Sequence, residues 1–261
     1  MGTRGSYPVS GKEYEEFGGG TSCYLLRRGD YAVVLDCGSG LSAAKRLLAD
    51  CARIDIVLTH VHYDHIIGLL NWNVFPKTAR LRLFATLELW FGEKTLQRFI
   101  SPPFWPYVQQ PPEQISVPPN GEAELDEGVR VRFRSSNHPD GASILRVSTD
   151  EGDVCVAFDY EHLTPFPLEM ARECALLIYD SMYTLEEYPT RKGWGHSCWQ
   201  EGCALAHELG VRQLALTHHE PYRTDEALRE MERQAKEVFP GARFARAGDV
   251  YEISGEGEAS L

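Results

Sequence analysis

The segment His60-Val61-His62-Tyr63-Asp64-His65 constrains this chain most, because it places four potential metal ligands within six residues. It follows the apolar run 54–59, which predicts a buried strand. Side chains alternate along an extended segment, so His60 and His62 can project onto one ion, while Asp64 and His65 can reach a second. The spacing therefore predicts two adjacent metal ions, and the competing interpretation is a histidine-rich surface turn. Imidazole and carboxylate ligands favour zinc, with manganese or iron as the alternatives.

Length and composition favour one globular domain over residues 1–261. The chain has 261 residues, of which 43% are hydrophobic, and this is enough for a sizeable core. The seven cysteines form no Cys-x-x-Cys pair, which indicates reduced thiols rather than a disulfide framework. No run approaches the roughly 18 apolar residues of a membrane helix, and the start does not resemble a secretory signal. We therefore expect a cytoplasmic protein with no membrane partner.

The formal net charge of −12 bears on the substrate. Proteins that hold long nucleic acids usually carry a basic stripe, because binding depends on neutralising phosphates. No such stripe is visible in this sequence. The charge thus argues against a large polyanion more than against a small phosphoester, which bound metal ions could still attract.

Strands and helices are predicted to alternate along the chain. The runs 23–27 and 31–36 predict a β-hairpin across Arg28-Gly29-Asp30. Further strands are predicted at 54–59, 81–85, 129–135, 142–148, 154–159, 176–180 and 213–217, and helices at 42–51, 64–71, 199–209 and 225–239.

An aromatic, proline-rich insertion interrupts this order around residues 88–120. Its prolines exclude a regular helix or a central strand throughout. The interpretations that remain open are a lid over the site, a dimer contact, and an insertion that packs its own aromatic side chains on the body of the protein.

Several motifs together resemble the metallo-β-lactamase superfamily. Thr59–His65 followed by Gly68 looks like its signature motif. Gly2–Ser6, Gly18–Ser22 and Asp36–Gly38, with Gly195-His196-Ser197 and Leu216-Thr217-His218, are similar to one branch. That branch holds the tRNA 3′-processing endonucleases and the phosphonate-pathway cyclic phosphodiesterases. The resemblance implies an α/β fold (α+β by some schemes), specifically a four-layer αββα sandwich with a mono- or dinuclear metal site at one edge, and a homodimer.

The order of the motif implies the remaining metal ligands. His138 should join His60 and His62 on the first ion, and Asp159 should bridge both ions. His218 should complete the second ion with Asp64 and His65, although its neighbour His219 competes for that role. Asp36 is interpreted as a carboxylate that fixes a loop or orients a ligand, and not as a ligand itself.

The catalytic residues implied by the resemblance are Asp64, His196 and Asp180. Two close cations would make a bridging hydroxide available near neutral pH, and Asp64 would orient it. His196 would protonate the leaving alkoxide, and Asp180 would orient His196. Ser197 is expected to cap the following helix or to touch phosphate. Arg4 and the amides of Gly18–Ser22 are expected either to border the site or to have a structural role. The structural role is favoured, because glycines in such loops mainly permit unusual backbone angles.

Three functions remain open from the sequence. The leading prediction is a metal-dependent phosphodiesterase that cleaves a small or cyclic phosphodiester. The second is a tRNA 3′-processing type of endonuclease. Nucleic acid is the less favoured substrate, because the insertion does not resemble the basic, glycine-rich arm with which tRNA-processing relatives bind their substrate. The third is a hydrolase of carboxylic esters or lactones on the same two ions, since fold alone does not separate these reactions.

Overall fold

Two β-sheets stacked face to face form the body of the protein. The computed structural model describes residues 1–86, 96–99, 101–103, 112–162 and 165–253. The first sheet has the order β1-β2-β3-β4-β5, with β1 (Tyr24–Arg28), β2 (Tyr31–Leu35), β3 (Arg53–Val57), β4 (Arg80–Thr86) and β5 (Glu113–Val117). Among the described strands of this sheet, β1 and β2 pair antiparallel and the other neighbours pair parallel.

The second sheet has seven strands in the order β12-β11-β10-β9-β8-β7-β6. Its strands are β6 (Glu122–Glu124), β7 (Arg130–Ser136), β8 (Ala142–Ser148), β9 (Asp153–Ala157), β10 (Leu176–Asp180), β11 (Gln213–Thr217) and β12 (Ala242–Phe244). The four strands β9 to β12 run parallel, so their carboxyl ends meet at one edge.

Helices cover the outer faces. The α-helices are α1 (Tyr63–Ile66), α2 (Leu96–Phe99), α3 (Trp199–Glu208) and α4 (Asp225–Val238), and short 3₁₀ segments include Ser39–Lys45 and Ile67–Leu70. None of the helices in the described ranges has the length and apolar character that a bilayer crossing requires.

The core has three layers, as an αββα sandwich requires. Alternate residues of β2 show why: Tyr31, Val33 and Leu35 pack between the two sheets, whereas Ala32 and Val34 pack outward under the 3₁₀ segments. A third cluster lies between the second sheet and helices α3 and α4. The central strands, such as β2, β10 and β11, are buried on both faces, which explains the continuous apolar runs in the sequence.

The predicted strands at 142–148, 176–180 and 213–217 match β8, β10 and β11 residue for residue. The other predicted strands and the helices at 199–209 and 225–239 are present with ends shifted by one or two residues. Strand β5 was not predicted, because it lies inside the proline-rich insertion. It is the edge strand of its sheet, where prolines are tolerated. Much of the predicted 88–120 insertion lies outside the described residues.

Two helix predictions were wrong in kind. Instead of an α-helix over 42–51, a 3₁₀ segment begins at Ser39, whose hydroxyl accepts a hydrogen bond from the amide of Thr21 at 2.9 Å. Instead of one helix over 64–71, α1 ends at Ile66 and a 3₁₀ segment follows. The break occurs because the Gly68 amide donates to the Cys37 carbonyl at 2.8 Å and is not available to the helix.

All seven cysteines are free and buried, in agreement with the prediction of reduced thiols.

Candidate metal centre

The candidate site residues gather where strands of both sheets end. Asp36 follows β2, His60 follows β3, His138 follows β7, Asp159 follows β9, Asp180 ends β10 and His218 follows β11. Three of them, Asp36, Asp159 and His218, have left-handed backbone with φ of 55°, 56° and 60°. This conformation turns each side chain out of its sheet directly at the strand end, and it is uncommon for residues other than glycine.

The first group of ligand atoms belongs to His60, His62 and His138. One nitrogen from each lies within 4.8 Å of the others, and His62 Nδ1 is 3.0 Å from His138 Nε2. His138 Nδ1 donates to the Gly195 carbonyl at 2.8 Å. Because a carbonyl only accepts, the proton of His138 sits on Nδ1, and Nε2 presents its lone pair to the group.

The second group belongs to Asp64, His65 and His218. The Asp64 Oδ2 atom lies 3.3 Å from His65 Nε2 and 3.7 Å from His218 Nε2. The Ser6 amide donates to the same oxygen at 2.8 Å, which fixes the carboxylate from the amino-terminal segment. Gly5 is required there, because a Cβ on it would lie 2.5 Å from the His218 ring.

Asp159 lies between the two groups. Its Oδ2 is 2.8 Å from His65 Nε2, and its Oδ1 is 3.4 Å from His218 Nε2 and 3.6 Å from His138 Nε2. The backbone amide of Asp159 donates to Asp180 Oδ2 at 3.0 Å, which holds the residue in place. One carboxylate therefore reaches both groups, as a bridging ligand must.

Asp36 determines which ring nitrogen carries the hydrogen in two histidines, although it acts on their Nδ1 side and not on the Nε2 side. Its Oδ2 accepts from His65 Nδ1 at 2.6 Å and from the Thr59 hydroxyl at 2.6 Å. Since the Thr59 hydrogen is committed to Asp36, His60 Nδ1 donates to the Thr59 oxygen at 3.0 Å. Both Nδ1 atoms thus carry protons, and both Nε2 atoms present lone pairs to the centre.

The chemistry of these groups fits bound cations. The buried atoms without a hydrogen-bond partner include His60 Nε2, His65 Nε2, His218 Nε2 and Asp159 Oδ2, which all belong to this cluster. Four buried polar atoms left unpaired in one place would cost several kcal/mol, roughly 1–3 kcal/mol each. Imidazole and carboxylate donors with these free positions suit a pair of divalent ions such as zinc.

The electrostatics lead to the same conclusion. Burial holds the pKa of His60 and His218 below the ordinary value, so their rings are neutral, the form that binds metal. Burial also opposes a charge on His65, but Asp159, Asp64 and Asp36 outweigh it and raise the pKa of His65 well above its usual range. The carboxylates around His65 therefore favour a positive charge at this position, and a cation bound at Nε2 would supply it in place of the proton.

His196 and Asp180 form a hydrogen-bonded pair beside the cluster. His196 Nδ1 donates to Asp180 Oδ2 at 2.8 Å and lies 3.7 Å from Asp159 Oδ1. Burial lowers the pKa of His196, but Asp180 more than offsets this and the pKa rises to about 9. The raised pKa favours the protonated ring, and its Nε2 hydrogen is then available for donation.

Other residues considered from the sequence lie outside the cluster. The Arg4 side chain is fully buried and donates to the backbone carbonyls of Gly18 and Arg223, so it holds two chain segments together. His219 donates from Nε2 to the Ala245 carbonyl at 2.9 Å, so His218 and not His219 faces the carboxylates. Ser197 does not cap α3: its hydroxyl donates to the Tyr160 carbonyl, and the capping residue is Cys198.

Glu161 was missed by the sequence analysis. It is 2% exposed and accepts hydrogen bonds from the amides of Gly193 at 2.7 Å and Gly195 at 2.9 Å. It thereby holds the backbone whose carbonyl orients His138 and whose next residue is His196. The only available signal was an acidic residue two positions after Asp159, and such a residue is too common to single out.

Comparisons with known proteins agree with this geometry. The family model described as the beta-lactamase superfamily domain matches residues 31–219. The chain belongs to that superfamily, and the predicted αββα metallo-β-lactamase fold is confirmed.

Individual relatives match over most of the chain. The probable metallo-hydrolase YhfI of Bacillus subtilis is 24% identical over 97% of this chain and 98% of its own. Its crystal structure superposes with a TM-score of 0.74 at 23% identity, covering 97% of each chain. A ribonuclease Z of Gemmatimonas aurantiaca is 26% identical over 90% of this chain and 91% of its own. A diphosphatase from the PhnP family matches in structure with a TM-score of 0.64 at 22% identity, over 87% of this chain and 81% of that one. The prediction of a metal-dependent hydrolase is thus confirmed at the level of the family, and the tRNA-processing alternative is compatible with it.

Proposed function

We propose that this chain is a metal-dependent phosphodiesterase that hydrolyses a small or cyclic phosphodiester. The observation that carries the proposal is the cluster of unpaired nitrogen and oxygen atoms with the hydrogen-bonded pair of His196 and Asp180 directly beside it. His60, His62 and His138 would hold one ion, and Asp64, His65 and His218 the other. Asp159, which lies 2.8 Å from His65 and 3.6 Å from His138, would contribute to both. We favour zinc because the first group is entirely imidazole.

The residues divide the reaction between them. Bound divalent ions would polarise a phosphoryl oxygen and make hydroxide available near neutral pH. Asp64 orients the attacking water, whose oxygen forms the new bond to phosphorus. As the bond from phosphorus to the ester oxygen breaks, His196 gives its Nε2 proton to that oxygen, and Asp180 stabilises the cationic ring beforehand. The products are an alcohol and a phosphomonoester, which are two groups of one molecule when the diester is cyclic.

The charge distribution favours a small substrate. Arginines line up on β7 and β8, but carboxylates face them: Arg132 lies 3.5 Å from Glu122, and Arg134 lies 3.2 Å from Glu169. Arg146 donates to Asp153 at 2.8 Å in the same way. Because carboxylates neutralise these arginines, the face of β7 and β8 does not offer a docking surface for a polyanion. Homodimerisation and a cytoplasmic location stay predictions.

Hydrolysis of bis(p-nitrophenyl) phosphate tests the proposal. Protein reconstituted with Zn²⁺ or Mn²⁺ should turn the ester over, and Asp64→Ala should abolish turnover. Asp150→Ala is the matched control, because this exposed carboxylate pairs with Arg28 and lies in the turn before β9, at the opposite end of that strand from Asp159. Metal binding without turnover of any phosphodiester would contradict the proposal.

The alternatives are separated by their substrates. Turnover of p-nitrophenyl acetate or a lactone, in the absence of phosphodiester turnover, would assign the carboxylic ester reaction. The named relative ribonuclease Z supports the endonuclease alternative. That alternative requires affinity for precursor tRNA that falls steeply with salt, because each neutralised phosphate releases counterions.

A further inference from the structure

The segment from Arg191 to Gly195, here called the 191–195 loop, reaches the surface directly before His196. Its first four residues are exposed, and Trp194 has 56% of its surface accessible. Large apolar side chains are normally buried, so an exposed indole beside a candidate catalytic centre requires an explanation.

The backbone of this loop is fixed to the metal centre. Glu161 accepts from the amides of Gly193 and Gly195, and the Gly195 carbonyl accepts from His138 Nδ1 at 2.8 Å. Gly195 has φ of +86°, and a Cβ there would lie 2.2 Å from His138 Nδ1. Gly195 is therefore in contact with a candidate ligand, and Trp194 directly precedes it along the backbone.

The loop also carries cations that the protein does not neutralise. The Arg191 guanidinium lies 4.8 Å from the centroid of the Trp194 ring, and the Lys192 ammonium lies 6.0 Å from that of Tyr188. Neither Arg191 nor Lys192 forms a salt bridge with any carboxylate in the described ranges, although most other arginines there do. In a chain of net charge −12, two such cations beside an exposed indole form a local positive surface.

The remaining exposed aromatic side chains lie near the same centre. Of the large apolar side chains exposed in the described part of the chain, four are aromatic: Tyr7, Tyr63, Trp194 and Tyr222. Tyr7 follows Ser6, whose amide binds Asp64, and it packs edge-on against Tyr222 with ring centroids 5.8 Å apart. Tyr63 stands between two candidate ligands in sequence. Each of the four exposed rings therefore belongs to a residue that lies within four positions of a candidate site residue or packs on one that does.

We propose that the 191–195 loop binds the nucleoside part of the substrate, so that the phosphodiester cleaved is that of a mono- or dinucleotide. The base stacks on Trp194, and Arg191 and Lys192 contact a second phosphate. Aromatic rings stack on every nucleobase, and guanidinium groups bind phosphate. Two cations suit a short substrate rather than a long nucleic acid. This inference rests on the proposed phosphodiesterase function.

Calorimetric titration of metal-reconstituted protein tests the inference without turnover. The probes are adenosine 5′-monophosphate, adenosine 5′-diphosphate and ribose 5-phosphate, which contain no phosphodiester. The monophosphate should bind about 5- to 100-fold more tightly than ribose 5-phosphate, because only the former can stack. Trp194→Ala should abolish this preference and Trp194→Phe should retain most of it.

The cations are tested by the second phosphate. The diphosphate should bind about 2- to 5-fold more tightly than the monophosphate at low salt, as expected for exposed ion pairs. The double substitution Arg191→Gln with Lys192→Gln should remove that difference. Lys77→Gln is the control, because this exposed lysine precedes β4 at the opposite end of the strands.

The outcomes distinguish the inference from the function on which it rests. Equal binding of the monophosphate and ribose 5-phosphate, or an unchanged preference in Trp194→Ala, overturns the inference, and turnover of bis(p-nitrophenyl) phosphate then still supports the phosphodiesterase. A Trp194-dependent preference without turnover of any phosphodiester overturns the phosphodiesterase and supports nucleotide binding at the 191–195 loop. Binding of a 12-residue oligonucleotide that is tighter than the diphosphate and steeply salt-dependent overturns the short substrate.

Discussion

Replacing Asp36 by asparagine should weaken metal binding although Asp36 is not a proposed ligand. The carboxylate accepts from both His65 Nδ1 and the Thr59 hydroxyl, and Thr59 in turn accepts from His60. An amide nitrogen at that position would donate instead. His65 would then carry its proton on Nε2, and the Thr59 hydroxyl would turn toward His60 and favour the same change there. The Nε2 lone pairs of His65 and His60 would then be unavailable to the metal, or free energy would be needed to move each proton back to Nδ1.

Changing such a supporting partner typically reduces metal affinity by about 10- to 100-fold, which corresponds to about 1.4–2.7 kcal/mol. We expect a loss in this range, or above it, because one substitution disturbs two histidines. The assay is competition for Zn²⁺ between the metal-free protein and a chromophoric chelator, with urea unfolding of the metal-free protein measured in parallel.

Asp55→Asn is the matched control for this experiment. Asp55 is also buried, at 2% exposed, and it also accepts several hydrogen bonds, from Arg82 at 2.6 Å and 2.7 Å and from Tyr31 at 2.6 Å. None of these partners touches the metal cluster, so this variant should lose about 1.5–3 kcal/mol of unfolding free energy and keep its zinc affinity. Wild-type affinity in Asp36→Asn would refute the tautomer argument. An equal loss in both variants would show that the assay reports folding.

Three further outcomes are expected. Arg82→Leu should lower the free energy of unfolding by about 3–5 kcal/mol in urea titrations, because it leaves Asp55 buried without its cation; a loss below 1 kcal/mol would contradict this. His196→Ala should reduce kcat by about 10²- to 10⁴-fold for alkyl phosphodiesters and much less for p-nitrophenyl esters, whose leaving group departs without a proton, and equal losses would argue against its role as an acid. Burial raises the pKa of Glu232, but Arg246 outweighs it and holds the pKa below the ordinary value of 4.5; the pair stabilises the protein above that pH and the stability is lost as pH falls through the lowered pKa. Glu232→Gln should therefore be less stable at pH 7, and its melting temperature should fall less steeply than that of the wild type as the pH is lowered below 4.5. An unchanged dependence of the melting temperature on pH would contradict the assignment.

The sequence predicted the strands better than the short helices, for a physical reason. Strands such as Leu176–Asp180 are buried on both faces, so the apolar run itself marks their ends. The segment after His65 depends on one tertiary contact, the Gly68 amide with the Cys37 carbonyl, and no local pattern reveals a bond across 31 residues. The edge strand Glu113–Val117 was missed because its residues are mostly exposed and lie among prolines.

The candidate ligands were predictable because they lie at strand ends in a fixed order. Asp159 and His218 are single residues far apart in sequence, and the resemblance supplied what spacing alone did not. The supporting interactions were not predictable. The Thr59 hydroxyl that relays from Asp36 to His60, and Glu161 on the amides of Gly193 and Gly195, depend on distances of a few Å that sequence does not encode locally.

The left-handed backbone at Asp36, Asp159 and His218 has a consequence for protein engineering. Each of these residues costs roughly 1 kcal/mol relative to glycine in that conformation. A library selected only for thermal resistance of the metal-free protein would therefore enrich glycine at positions 159 and 218, whose side chains also leave polar atoms unpaired there, and the selected variants would be more stable but inactive. Asp36 would be retained in such a library, because its carboxylate accepts hydrogen bonds from His65 and Thr59. Activity and heat tolerance pull in opposite directions at positions 159 and 218, so any campaign to stabilise this protein should keep all three residues constant.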